Sequence, residues 1–86
     1  MVGLMKDWKV YIVKCSDASL YTGITTDLDR RINEHNTSKK GAKYTSSRRP
    51  VHLVYSETQP NRSLASKRES AIKKLNRSDK LILINE

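Results

Sequence analysis

The stretch from Lys9 to Asn36, KVYIVKCSDASLYTGITTDLDRRINEHN, constrains the fold more than any other part of the chain. Val10-Tyr11-Ile12-Val13 is a short apolar, β-branched run, Leu20-Tyr21-Thr22-Gly23 is a second, and polar Ser16-Asp17-Ala18-Ser19 separates them, which is the pattern of a β-hairpin. Tyr11 and Tyr21 stand ten residues apart. Because side chains alternate faces along a strand, an odd-length connection puts both phenols on one face and an even one splits them. A three-residue loop, Ser16 to Ala18, is expected, with Asp17 accommodating the turn geometry.

Beyond Gly23, Thr26 as N-cap with Asp29 three residues on reads as a capping box, so a helix is expected to start there. At about 100° per residue, Leu28, Arg31, Ile32 and His35 share one helical face, whereas Arg30, Asn33 and Glu34 point elsewhere. An inward arginine and histidine one turn apart need partners, since burying unpaired polar groups costs several kcal/mol. A phosphate would satisfy both, and so would other side chains of the same domain.

These residues resemble the GIY-YIG nuclease domain, in particular its small stand-alone, UPF0213-like members, and the resemblance covers nearly the whole chain. Val10-Tyr11-Ile12 is similar to the first signature triplet and Tyr21-Thr22-Gly23 to the second, with valine for glycine at 10 and threonine for isoleucine at 22. Leu28 to His35 is similar to the family's first helix. The resemblance makes Arg31 its catalytic arginine and His35 its histidine, the two residues that helical spacing independently places on one face.

Composition agrees with a nucleic-acid partner and excludes several other classes. With 17 Lys+Arg against 9 Asp+Glu the chain carries a formal charge of +8. Such an excess favours a polyanion, because each cation placed at a phosphate releases condensed counterions. No run approaches the ~20 apolar residues of a membrane span, and no basic amphipathic stretch carries bulky apolar anchors. The lone Cys15 permits no internal disulfide and no soft-ligand zinc cluster, which fits a reducing cytoplasm; at the end of an apolar strand it is a small buried hydrophobe rather than a nucleophile. Eighty-six residues are expected to form one domain, 1–86, with residues 1–7 as a flexible lead-in and Trp8 as a packing residue.

The segment 37–50, TSKKGAKYTSSRRP, holds Lys39, Lys40, Lys43, Arg48 and Arg49 and no acid, with Tyr44 placed to stack on a base. A loop of this length and sign purity beside the Arg31/His35 helix reads as a nucleic-acid contact. Val51 to Tyr55 is a third strand after Pro50. Capping residues at Asn61 to Ser63 then lead into a helix through Leu75, with Leu64, Ala71, Ile72 and Leu75 as its apolar stripe. Asn76 is expected to end that helix, and Ser78-Asp79-Lys80 to cap a last one over Leu81 to Ile84.

The resulting expectation is an α/β fold of the α+β kind, a three-stranded antiparallel sheet flanked by helices in the order β-β-α-β-α-α. Glu69 lies at the edge of the apolar stripe and is the only acid between Arg62 and Arg77. One carboxylate with waters and phosphate oxygens suffices to hold Mg²⁺ in phosphate chemistry. The resemblance aligns Glu69 with the family's metal ligand, implying one divalent ion, Mg²⁺ or Mn²⁺. It implies a catalytic set of Tyr11, Tyr21, Arg31, His35 and Glu69, a nucleic-acid substrate with DNA ahead of RNA, and a setting in repair or recombination. A monomer is compatible with all of this. No residue takes the place of the asparagine that many members carry well beyond the glutamate. That departure, with those at Val10 and Thr22, leaves a competing reading: a non-catalytic nucleic-acid binding module on the same scaffold.

Overall fold

The computed structural model describes residues 7–85. The elements are β1 (Trp8–Lys14), β2 (Leu20–Thr25), α1 (Leu28–Thr37), α2 (Lys43–Ser46), β3 (His52–Gln59), α3 (Arg62–Lys73) and α4 (Arg77–Ile84). The strands form one antiparallel sheet in the order β2-β1-β3. The expected β-β-α-β-α-α order holds, with the one-turn α2 added inside the basic connection. Residues 1–6 of the expected lead-in lie outside the described residues. No described helix is long and apolar enough to cross a membrane.

The hairpin turns as its spacing requires. Cys15 N donates to Ser19 O at 2.8 Å and Ala18 N to Cys15 O at 2.9 Å, leaving Ser16 to Ala18 as the loop. The left-handed residue is Ala18, with φ 69°, rather than Asp17. Asp17 instead accepts from Ser19 N at 3.0 Å and Ser19 Oγ at 2.5 Å, an Asx turn that tightens the loop from its side chain. The odd loop pairs Tyr11 with Gly23 and Val13 with Tyr21, so both tyrosines lie on one face.

That alternation divides the core in two. Val10 and Ile12 pack with Ala65 and Ile72 of α3, joined by Trp8, Leu20, Ile24, Val54, Tyr55 and α4's Leu83 and Ile84. Tyr11, Val13 and Cys15 pack on the other face with Val51, Tyr21 and α1's Leu28 and Ile32. A bulge in β3 shifts its register against Ile12 and Val13, with Val54 as the extra residue.

Three boundaries and one buried face differ from the sequence expectation. Asp27, not Thr26, caps α1, accepting from Arg30 N at 3.1 Å; Thr25 Oγ1 accepts from Asp27 N, which holds the cap one residue further on. β3 runs on to Gln59, which pairs with Trp8 at the start of β1. In α3, Leu64 and Ala71 are exposed and the buried positions are Ala65 and Ile72. Asn76 opens α4 as its N-cap, accepting from Asp79 N at 2.8 Å.

Candidate active site

The inward-facing polar groups of β1, β2 and α1 meet on one side of the sheet. Tyr11 is 1% exposed, and its phenol lies across the backbone of β2 at Gly23. A Cβ at Gly23 would sit 2.6 Å from Tyr11 Cζ and closer still to its hydroxyl, so glycine is what lets this ring lie down. Its Oη is 2.7 Å from Nε2 of His35, which is wholly buried. The imidazole meets both tyrosines edge to face, at centroid distances of 5.8 Å for Tyr11 and 5.4 Å for Tyr21. Its Nδ1 is 2.9 Å from Oγ1 of Thr45, equally buried in α2.

Burial sets the ionisation of this cluster. It pushes the Tyr11 phenol up to about 12, despite the opposing pull of the Arg31 guanidinium. It pushes His35 down to about 4, helped by the Arg31 charge. Both groups are therefore neutral near pH 7. Arg31 remains cationic: the Glu34 carboxylate and the Tyr11 phenol outweigh the burial that disfavours its charge. Its Nη1 donates to Glu34 Oε1 at 3.0 Å and to Lys40 O at 2.8 Å.

Glu69 approaches from α3 at the β2 edge of the sheet. Its half-buried carboxylate is 3.3 Å from Lys73 Nζ, and that ammonium lies 6.0 Å from the Tyr21 ring centroid. The Glu69 charge contributes to raising the Tyr11 phenol. Tyr11, Tyr21, Arg31 and His35 are thus drawn into one cluster, with Glu69 at its rim. Among the described residues there is no group of three or more His, Cys, Asp or Glu side chains. A single carboxylate suits a magnesium-like ion that keeps waters and binds substrate phosphate, and Lys73 would yield the oxygen it holds to such an ion.

The basic segment is more internally committed than its charge suggests. Tyr44 stacks on Tyr21 with centroids 5.8 Å apart and planes at 22°, and the Arg48 guanidinium covers it at 3.9 Å. Arg48 is also paired with Asp17 at 3.0 Å and donates to Tyr44 O at 2.9 Å. Arg49 donates to His35 O at 2.6 Å and Ser38 O at 2.5 Å, capping the C-terminal carbonyls of α1. Tyr44, Arg48 and Arg49 therefore hold the segment against the site. Lys39, Lys40 and Lys43 stay exposed, and none of their ammonium groups joins an ion pair among the described residues.

Sequence reading missed Thr45 and the steric demand at Gly23. Nothing local distinguishes Thr45 from its neighbours; only its burial in the folded chain does. The departures from the family signature lie elsewhere: Val10 is 0% and Thr22 3% exposed. By strand parity both face α3, away from the phenols.

Comparison with known proteins shows which family the chain is similar to. The sequence model of the GIY-YIG catalytic domain matches residues 7–82. The chain is 64% identical over 77 residues to UPF0213 protein DP2720 of Desulfotalea psychrophila, covering 90% of this chain and 70% of that one. It is 57% identical to a UPF0213 protein of Staphylococcus aureus, with coverage of 90% and 93%. The solution NMR structure of UPF0213 protein BH0048 from Bacillus halodurans superposes with a TM-score of 0.59 at 46% identity, covering 92% of this chain and 83% of that one. That of EF2693 from E. faecalis does so at 0.60 and 44%, covering 87% and 79%. With a match spanning nearly the whole chain and relatives this similar, the chain belongs to the GIY-YIG family of nucleases.

Proposed function

We propose that this chain is a divalent-metal-dependent endonuclease that hydrolyses phosphodiester bonds in nucleic acid, acting through Tyr11, Tyr21, Arg31, His35 and Glu69. The observation that carries the reading is the convergence of a buried phenol, a neutral imidazole and a retained guanidinium charge on one face of the hairpin. GIY-YIG nucleases generally depend on a divalent metal. Glu69 is the residue that would hold Mg²⁺ or Mn²⁺, and a bound ion supplies Lewis-acid polarisation of a phosphoryl oxygen and charge neutralisation at the leaving oxygen.

The protein's own groups divide the remaining work. Arg31, fixed by Glu34 and the Lys40 carbonyl, offers positive charge to the phosphoryl group as negative charge builds on it. Tyr11 receives a hydrogen bond from an attacking water, held by its bond to His35, against which Tyr21 packs. Lys39, Lys40 and Lys43 supply sequence-independent attraction to the backbone of the substrate. The positions of Val10 and Thr22 in the core weaken the competing binding-module reading, because those departures from the signature leave the cluster untouched.

The test is cleavage of end-labelled single-stranded, duplex and branched DNA and RNA in Mg²⁺ or Mn²⁺, with Glu69→Ala alongside. Wild type should cut at least one shape. Glu69→Ala should be slower by at least about a hundredfold at unchanged substrate affinity and melting temperature. Equal cutting by both would contradict the assignment of Glu69, and salt-sensitive binding without cutting by either would replace the nuclease with the binding module.

A further inference from the structure

Thr45 belongs to no signature of the sequence, yet it is one of the few fully buried polar side chains, and it sits directly behind His35. Its Oγ1 is 2.9 Å from Ala42 O and 2.9 Å from His35 Nδ1. A carbonyl oxygen only accepts, so a hydrogen bond between these two oxygens is donated by the Thr45 hydroxyl, to a carbonyl that also accepts from Thr45 N and Ser46 N, each at 3.1 Å. A hydroxyl that donates there presents only lone pairs to His35, which Nδ1 meets if it carries the single proton of the neutral ring. Nε2 is then bare, and the 2.7 Å contact with Tyr11 is a hydrogen bond donated by the phenol. One directional chain results, from Tyr11 to His35 to Thr45 to the Ala42 carbonyl. The opposing contact is the Ala42 N–H, which donates toward Nδ1 at 3.4 Å, the longest contact in the cluster, and favours a bare Nδ1.

We propose that Thr45 is a positioning residue that locks His35 in the Nδ1–H tautomer, so that the Tyr11 proton points inward and the phenol oxygen keeps its lone pairs for Arg31 and an incoming water. In this form Tyr11 orients the attacking water as a hydrogen-bond acceptor without first having to lose its own proton. The high pKa of Tyr11 and the low one of His35 agree with a pair that works by orientation, since neither changes charge near neutral pH. The basic segment then has a second duty. Besides presenting lysines, it reaches through α2 into the catalytic cluster, and Arg49 fastens it there through the His35 carbonyl.

The catalytic consequence rests on the nuclease reading, but the tautomer does not, which allows the two to fail separately. The experiment is nitrogen-resolved NMR of the His35 ring in the full chain for wild type, Thr45→Val and Thr45→Ser, with cleavage measured in parallel. Wild type should show Nδ1 protonated and Nε2 bare. Thr45→Val removes the acceptor while keeping the volume, so the Ala42 N–H takes Nδ1 and the ring switches to Nε2–H; Thr45→Ser restores the wild-type pattern. Turnover should fall roughly ten- to a hundredfold in Thr45→Val with KM unchanged, and recover in Thr45→Ser. An Nε2–H ring in wild type, or an unchanged tautomer in a folded Thr45→Val, would overturn the proposal. If wild type does not cut at all, the nuclease reading fails while the ring spectra still decide the role of Thr45.

Discussion

The two faces of the sheet are built from the same strands and solve opposite problems. Toward α3, β1 presents Val10 and Ile12, and the contact with Ala65 and Ile72 is apolar. A polar clamp at its margin, Arg68 Nε to Glu57 Oε1 at 3.0 Å, fixes the helix that carries Glu69. Toward α1 the same strand presents Tyr11, and what is buried there includes an imidazole and a threonine hydroxyl, each hydrogen-bonded. Among the described residues no buried side-chain nitrogen or oxygen lacks a partner. One face supplies stability through excluded water; the other holds polar groups in fixed orientations, which is useful only if something reads those orientations.

Perturbing each face should therefore have different consequences. On the apolar face, Ile72→Ala should cost about 2–5 kcal/mol of stability, while the turnover of the molecules that remain folded stays near wild type. Calorimetry beside an activity assay corrected for folded fraction checks this. A large loss of turnover per folded molecule would mean that the faces are not separable.

The polar face should show itself through pH. The folded-state pKa of His35, about 4, lies below its ordinary 6.5, so the unfolded chain binds the proton more readily. The stabilisation is complete above pH 6.5 and is lost as pH falls toward 4, by up to about 3 kcal/mol. Denaturant titrations across that window should show this slope in wild type and a flatter one in His35→Phe. A smaller effect, about 1–3 kcal/mol, is expected for Gly23→Ala, whose added carbon would displace the Tyr11 phenol. There the loss of turnover should exceed what the loss of stability explains.

The sequence was most informative where function and periodicity coincide. Strand parity put Tyr11 and Tyr21 on one face, and helical spacing put Arg31 and His35 beside each other, because both are properties of a few neighbouring residues. The basic segment was legible in charge but not in use. Whether Arg48 meets solvent or Tyr44, and whether Arg49 meets a phosphate or the end of α1, depends on how the chain folds back between Asn36 and Val51. That closure is set by a reciprocal pair of hydrogen bonds, Asn36 Nδ2 to Val51 O at 3.0 Å and Val51 N to Asn36 Oδ1 at 2.7 Å. Thr45 was hidden for the same reason. The Thr26 cap failed through a local competition that Asp27 wins with the stronger acceptor.

The claim that the polar face is a phosphodiesterase centre is tested most directly by removing one oxygen from it. Tyr11→Phe keeps the ring over Gly23 and deletes the hydroxyl that meets His35. With cleavage and equilibrium binding measured on the same labelled substrate, the variant should bind as wild type does and cut at least about a hundredfold more slowly. A folded Tyr11→Phe protein that cuts at the wild-type rate would contradict the account.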